Sequence, residues 1–163
     1  MGSRTEKHPG ELKKQKNQAG TTIFVNPENV IGTLEQGFDI YKTIDTAFGR
    51  AVFMMFMISE IHPFDDGNGR TGRVMMNAEL VANNEQRIII PTIYRNNYLS
   101  ALRALTNSGN VEAILKVLDF AQKYTNMINW EDFNDATKIL DETHAFMDAN
   151  QAEEEGLRLV LPR

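Results

Sequence analysis

The sequence contains no cysteine among its 163 residues. Disulfide frameworks, cysteine-ligated zinc sites and thiol catalysis are therefore excluded, although this absence does not settle the cellular compartment. Basic residues are also in deficit, because 17 Lys and Arg stand against 22 Asp and Glu and give a formal net charge of -5. General nucleic-acid binders normally carry a basic field, so no nucleic-acid partner is expected.

Long apolar runs are missing too. The longest, AVFMMFMI at 51–58, is too short to span a bilayer, and no secretory signal is visible. We therefore expect no membrane partner and a cytoplasmic location, with a secreted effector role as the alternative. The opening MGS is typical of an expression-tag remnant, so residues 1–8 are interpreted as a tag-derived or disordered arm.

The hydrophobic content, 42% of the residues, is enough for one domain with a real core. Helical patterns dominate from residue 32 onwards, and the stretch 46–62 is apolar almost all round, so it should run through the centre of the domain. In a second helix at 71–84, the side expected to be apolar carries Val74, Met75, Leu80 and Val81. Further helices are predicted at 95–107, 110–126 and 130–149, with Asn110 as an N-cap.

The stretch GTTIFVNP at 20–27 differs in kind. Its residues 21–25 are all β-branched or aromatic and are bounded by turn-forming residues, which predicts a short strand. An isolated strand needs a partner, and the preceding arm can supply it as a hairpin. The predicted fold class is therefore all-α with a central helix-loop-helix and one small β-hairpin.

The candidate functional residues are concentrated in the segment HPFDDGNGRTGR at 62–73, which contains a histidine, two aspartates, an asparagine and two arginines. The segment GNGRTG fits the pattern GxGxxG, but a dinucleotide-binding fingerprint needs a strand directly before the first glycine and an acid about twenty residues later. Here IHPFDD intervenes and residue 87 is arginine, so a Rossmann site is not expected.

A polyphosphate site without that fold fits better. A glycine-rich turn that leads into a helix presents backbone N–H groups and the positive end of the helix dipole. Arg70 and Arg73 would share a helix face and could clamp phosphates, while Asp65 or Asp66 could hold Mg²⁺ against them. Taken singly, the acids could merely cap a turn, and His62 could be a capping or core histidine.

Together these residues resemble the motif of Fic-domain proteins, HxFx(D/E)GNGRxxR, which is matched at every specified position. A weaker resemblance extends from PGELKK at 9–14 to YLSALRAL at 98–105. The resemblance implies a mostly helical Fic domain over 9–150 with a β-hairpin flap at about 14–26, followed by a tail at 151–163. Most members of this family transfer AMP from ATP to a hydroxyl of a target protein.

The resemblance also implies a role for each motif residue. His62 would be the general base, Asp66 would hold Mg²⁺, Asp65 would fall at a variable position and Phe64 would be buried. The phosphates would be bound by Gly67, Asn68, Gly69, Arg70 and Arg73, with Asn68 and the two glycine N–H groups as an anion hole. The flap would dock the target by its strand edge, through Thr21, Thr22, Ile23, Phe24 and Val25.

The expected function is thus that of a protein adenylyltransferase, with Mg²⁺ as cofactor, ATP as substrate and a target protein bearing a Ser, Thr or Tyr hydroxyl as partner. The related Doc toxins phosphorylate their targets and carry lysine where Gly69 stands, so Gly69 favours nucleotidyl transfer. Two alternatives stay open: a non-catalytic nucleotide-binding regulatory module, and a Fic enzyme that transfers another phosphate-containing group. The hypothesis of a metal-dependent hydrolase has less support, because His62 and Asp66 lack the further metal ligands that such a site needs.

Many Fic proteins are restrained by a helix (S/T)xxxE(G/N) whose glutamate pairs with the last motif arginine, here Arg73. No full match occurs: residues 108–112 have the spacing but Ala113 follows, and Glu155 with Gly156 fits but Gln151 replaces the Ser or Thr. We therefore expect no restraint in cis. A separate inhibitory protein and a second copy of the chain stay open as further partners.

Overall fold

The structure is a computed structural model that describes residues 10–20 and 22–162. The arm predicted at 1–8 and the flap residue Thr21 lie outside the described residues. The chain divides into two compact units, Met1–Asn84 and Glu85–Arg163. This division falls within the predicted Fic domain at 9–150, whose bounds stay a prediction.

The first unit holds a hairpin and the helix-loop-helix. Its elements are β1 (Gln18–Ala19), β2 (Thr22–Ile23), a 3-10 turn (Pro27–Asn29), α1 (Val30–Tyr41), α2 (Ala47–Ile61) and α3 (Asn68–Ala82). The two strands pair antiparallel, with Gln18 opposite Ile23 and Ala19 opposite Thr22. The predicted fold class, all-α with a central helix-loop-helix and a small hairpin, is confirmed.

Helix α2 runs through the core of this unit, as its all-round apolar pattern predicts. Its buried apolar residues are Ala51, Val52, Met54, Met55, Met57, Ile58 and Ile61. The helical pattern that starts near residue 32 forms two helices here, because residues 42–46 separate α1 from α2. Thr46 has an extended backbone, and its side chain accepts a 3.1 Å hydrogen bond from the N–H of Gly49, which caps α2.

Helix α3 packs on α2 at Gly72. A Cβ at this position would lie 3.0 Å from the backbone oxygen of Met55, so even a methyl group would be crowded between the two helices. The buried stripe of α3 is Gly72, Met76 and Leu80, at a spacing of four residues. The predicted face was therefore correct only at Leu80, since Val74, Met75 and Val81 are exposed.

The second unit is helical. Its helices are α4 (Arg95–Ser108), α5 (Val111–Asn126), α6 (Phe133–Glu142) and α7 (Ala149–Glu154), preceded by a 3-10 turn (Thr92–Tyr94). Asn110 caps α5 as predicted, accepting from the N–H of Ala113. The single helix predicted at 130–149 is instead two, because His144 takes a positive φ of 53° and Asp148 caps the start of α7.

The described residues include no helix with the length and apolar character needed to cross a bilayer.

Candidate functional site

His62 marks the end of α2. Its N–H donates to the carbonyl of Ile58 at 3.1 Å, and its backbone then turns left-handed, with φ 52° and ψ 56°. Pro63 explains the stop, since a proline disfavours the helical conformation in the residue before it. A non-glycine residue in this conformation costs on the order of 1 kcal/mol, so other contacts of the loop must hold it there.

The imidazole of His62 is oriented by the helix that it ends. Nδ1 lies 3.1 Å from the carbonyl oxygen of Ser59. A carbonyl can only accept, so Nδ1 carries a proton, and in the neutral ring Nε2 then keeps its lone pair. A neutral imidazole with an unprotonated Nε2 is the form that a general base needs.

The surroundings of His62 favour this neutral form. Burial lowers its pKa below the usual 6.5, and the Lys13 ammonium acts in the same direction. The carbonyl of Ser59 and the carboxylates of Glu60 and Asp66 oppose the shift without reversing it. The ring is therefore largely unprotonated at neutral pH.

Asn68 holds the loop that follows His62. It is 1% exposed, its Oδ1 accepts from the N–H of Phe64 at 2.9 Å, and its Nδ2 donates to the carbonyl of Phe64 at 2.8 Å. The side chain thus closes the loop on both backbone groups of one residue. Phe64 itself, predicted to be buried, is half-buried.

The start of α3 forms an anion-accepting surface. Gly67 turns left-handed with φ 84°, and the first helical bond runs from the N–H of Thr71 to its carbonyl at 2.9 Å. The N–H groups of Asn68, Gly69 and Arg70 therefore lie at the open, positive end of the helix. Nothing larger than hydrogen projects there from Gly69, so the backbone can be approached closely.

Both predicted arginines lie in the first two turns of α3. Arg70 is exposed, and Arg73 is half-buried. A Cβ on Gly69 would lie 3.5 Å from Nη1 of Arg73, so this guanidinium folds back beside the first turn. Two cations thus stand at the end of the helix where an anion would bind.

The acids precede this surface. Oδ1 of Asp66 accepts from the N–H of Gly67 at 2.8 Å, and both Asp66 and Asp65 are exposed. Within the described parts of the chain, no three His, Asp or Glu side chains gather as a metal site. A metal held here would therefore depend on oxygens of a bound ligand for much of its coordination.

Two residues that the sequence did not single out hold the loop from the N-terminal side. Lys13 is 3% exposed, and its ammonium donates to the carbonyl of Ile61 at 3.0 Å and to Oδ1 of Asn17 at 2.7 Å. Nδ2 of Asn17 donates to the carbonyls of His62 and Phe64 at 3.3 and 3.2 Å. The ammonium and the amide thus satisfy carbonyl groups at the end of α2 and in the loop that follows it.

The predicted flap residues have different surroundings. Thr22 and Ile23 form β2, and Ile23 is 74% exposed. The ring of Phe24 stacks on His62, while Val25 packs against the core around Val30. The structure thus brings the flap to the general-base candidate through Phe24.

Comparison with known proteins addresses the family of the chain. Residues 2–80 match the model of the Fic/DOC family. Over 81 residues, the chain is 35% identical to protein adenylyltransferase Fic of Drosophila yakuba and 33% identical to that of Drosophila melanogaster. These matches cover 49% of this chain and 16% of each relative, so the chain spans only a small part of their length.

Solved structures agree as well. A Fic domain containing signaling protein from Bacteroides thetaiotaomicron superposes with a TM-score of 0.58 at 25% identity, over 69% of this chain and 50% of that one. Fic-1 from C. elegans gives 0.60 at 25% identity, over 69% and 34%. The shared fold, together with the family match over the unit that carries His62, shows that the chain belongs to the Fic/DOC family.

Proposed function

We propose that this chain transfers AMP from ATP to a hydroxyl group of a target protein and releases pyrophosphate. The observation that carries the proposal is the 3.1 Å contact of His62 Nδ1 with the carbonyl of Ser59, which leaves Nε2 as the base in a loop that leads into an anion-accepting helix end. The names of the Drosophila relatives give this activity to those proteins and support it here.

The reaction needs one proton acceptor and one anion-binding surface. Nε2 of His62 takes the proton of the target hydroxyl, the hydroxyl oxygen bonds to the α-phosphorus, and the bond from that phosphorus to the oxygen bridging to the β-phosphate breaks. Pyrophosphate is the leaving group, and it takes the electron pair of the broken bond. A base positioned in this way contributes roughly 10²–10⁴-fold to the rate.

The start of α3 would bind the phosphates. Negative charge grows on phosphoryl oxygens during the transfer, and fixed donors stabilise it without having to reorganise. The backbone N–H groups of Asn68, Gly69 and Arg70 would serve this purpose. The N–H of Gly67 instead donates to Oδ1 of Asp66, and the buried side chain of Asn68 keeps the loop in shape. Arg70 and Arg73 add two cations on the helix face that follows.

Asp66 would hold Mg²⁺ with the phosphates of ATP. Mg²⁺ in nucleotide enzymes is usually bound by one or two carboxylates together with substrate phosphates and water, which suits a loop with one carboxylate on the Gly67 turn. When bound, the ion neutralises phosphate charge. Asp65, at the variable motif position, is not assigned to it.

The flap would present the target. Strand β2 pairs with β1 on one side, and an extended target segment could add to the hairpin edge by main-chain hydrogen bonds. Ile23, exposed on this strand, would contact target side chains. This arrangement brings a target hydroxyl to the hairpin end at which Phe24 meets His62.

The test uses ATP radiolabelled on the α-phosphorus or on the γ-phosphorus, with Mg²⁺, the chain and a cell lysate. Protein labelling from the α-label alone, lost in His62→Asn, is the expected result. Labelling from the γ-label would mean phosphoryl transfer. Nucleotide binding with no labelling from either would leave the non-catalytic regulatory module as the better description.

A further inference from the structure

The two ends of the flap hairpin meet at one place. The N–H of Phe24 donates to the carbonyl of Asn17 at 3.3 Å, directly beyond the two strand pairs. Asn17 precedes β1 and Phe24 follows β2, so these residues close the open end of the hairpin. A rigid-body movement of the hairpin would therefore also move Asn17 and Phe24.

Both closing residues contact His62. Nδ2 of Asn17 donates to the backbone carbonyl of His62, and the ring of Phe24 lies on the imidazole with centroids 3.8 Å apart and planes 9° apart. One contact restrains the left-handed backbone of His62, and the other restrains its ring. The orientation of the Asn17 amide is itself fixed, because its Oδ1 accepts from the buried ammonium of Lys13.

The stack leaves the base available. The lone pair on Nε2 lies in the plane of the imidazole, whereas the ring of Phe24 covers a face. Phe24 therefore excludes water from that face and fixes the ring plane without occupying the path of an incoming hydroxyl. With the bond from Nδ1 to Ser59, the imidazole is held at one edge and on one face.

We propose that Asn17 and Phe24 are positioning residues that tie the orientation of His62 to the flap hairpin. The residues whose side chains hold the base thus close the same hairpin on which an extended target segment would dock. This inference rests on the proposed function for its catalytic consequence. The placement of the imidazole can be measured without any reaction.

The experiment compares Phe24→Leu, which keeps apolar volume but removes the stack, with Phe24→Tyr, which keeps it. Asn17→Asp, which removes the donor at nearly constant shape, tests the second contact. Phe53→Leu removes a half-buried ring from α2, nine residues before His62. It is the control for the general effect of losing an aromatic side chain. All are made in the full chain.

The first readout is NMR of the His62 ring without nucleotide. We expect the wild type and Phe24→Tyr to show a protonated Nδ1, an unprotonated Nε2 and ring protons shifted upfield by the stacked ring. Phe24→Leu should lose the upfield shift, and Asn17→Asp should change the ring signals, while Phe53→Leu should not. Unchanged ring signals in Phe24→Leu would overturn the proposal.

The second readout is AMP transfer at varied Mg·ATP. Phe24→Leu and Asn17→Asp should lower kcat by about 10-fold with KM for Mg·ATP unchanged, since small misplacement of a base is costly, and Phe24→Tyr should restore it. A rise in KM with constant kcat would overturn the positioning role. If the wild type transfers nothing, the proposed function fails, and the NMR comparison alone decides the placement of His62.

Discussion

Nδ1 of His62 lies 3.1 Å from the carbonyl oxygen of Ser59, three residues earlier in the chain. The carbonyl belongs to the last turn of α2, where backbone acceptors lack helical partners. The same bond therefore satisfies the end of the helix and fixes the imidazole tautomer. One hydrogen bond thus serves both the fold and the proposed chemistry, and His62 is therefore the first residue to test.

Replacing His62 with Asn removes the base but keeps a residue that tolerates the left-handed backbone. We expect AMP transfer to fall by about 10²–10⁴-fold, while calorimetric titration shows nearly unchanged binding of Mg·ATP. His62→Ala should lose transfer equally and also some stability, because alanine is strained in that conformation. Transfer by His62→Asn above about a tenth of the parent rate would contradict the assignment of the base.

Asp66→Asn and Asp65→Asn form a matched pair, since both remove one exposed carboxylate charge from adjacent positions. We expect Asp66→Asn to weaken binding of Mg·ATP far more than Asp65→Asn, because only Asp66 is proposed as the ligand. Arg70→Ala should also weaken it, through loss of a phosphate contact. Calorimetry decides, and equal losses for the two aspartates would mean that the metal ligand is misassigned.

The lowered pKa of His62 predicts a definite pH dependence. Because burial lowers this pKa, the midpoint of the decline in AMP transfer at saturating Mg·ATP should lie below pH 6.5. The unfolded chain takes up this proton more readily than the folded one. The associated stability is thus present above pH 6.5 and is lost as the pH falls through the folded pKa.

An NMR titration of the His62 ring measures this pKa directly, and a pH profile of transfer gives the kinetic value. A midpoint at or above 6.5 in the titration would show that the carbonyl of Ser59 and the nearby carboxylates outweigh burial.

Gly72→Ala tests the close contact of α2 and α3. The added Cβ would lie 3.0 Å from the backbone oxygen of Met55, which cannot move away as a flexible side chain could. We expect a loss of about 1–3 kcal/mol from overpacking, reduced by up to about 1 kcal/mol of better helix propensity. Gly32→Ala in α1 is the control, since nothing lies within 4 Å, and it should stabilise. Chemical denaturation of both variants gives the comparison, and equal effects would refute the steric argument.

Restraint in cis is tested by Glu155→Gly and Glu112→Gly. Both glutamates are exposed and bind a side chain four residues away: Glu155, at the C-cap of α7, accepts from Gln151 at 2.8 Å, and Glu112 in α5 pairs with Lys116 at 2.6 Å. We expect the wild-type chain to incorporate AMP and neither variant to incorporate markedly more. A silent parent that Glu155→Gly switches on would identify the C-terminal segment as an inhibitor.

Local physics let the sequence predict the main elements and the loop. The apolar stretch at 46–62 required a buried helix, and Pro63 ends that helix at His62. The left-handed turn that begins α3 follows from Gly67, because glycine tolerates that conformation. The motif alone was enough to indicate the family, which the match over residues 2–80 supports.

Which side of a helix is buried was decided by the tertiary structure. Val74 is as apolar as any core residue, yet it is 66% exposed, because α3 meets α2 along Gly72, Met76 and Leu80. Helical periodicity defines faces but does not say which face a neighbour covers. The split between α6 and α7 is similar, since the positive φ of His144 is not a preference that sequence alone reveals.

The supports of the candidate base were also decided by tertiary structure. Lys13 and Asn17 lie in a polar arm whose sequence resembles any solvated segment, and they become informative only when the chain carries them to the end of α2. A buried ammonium is stable there because the end of a helix leaves carbonyl oxygens that need donors. The sequence thus determined which groups can do the chemistry, whereas packing decided which groups hold them in place.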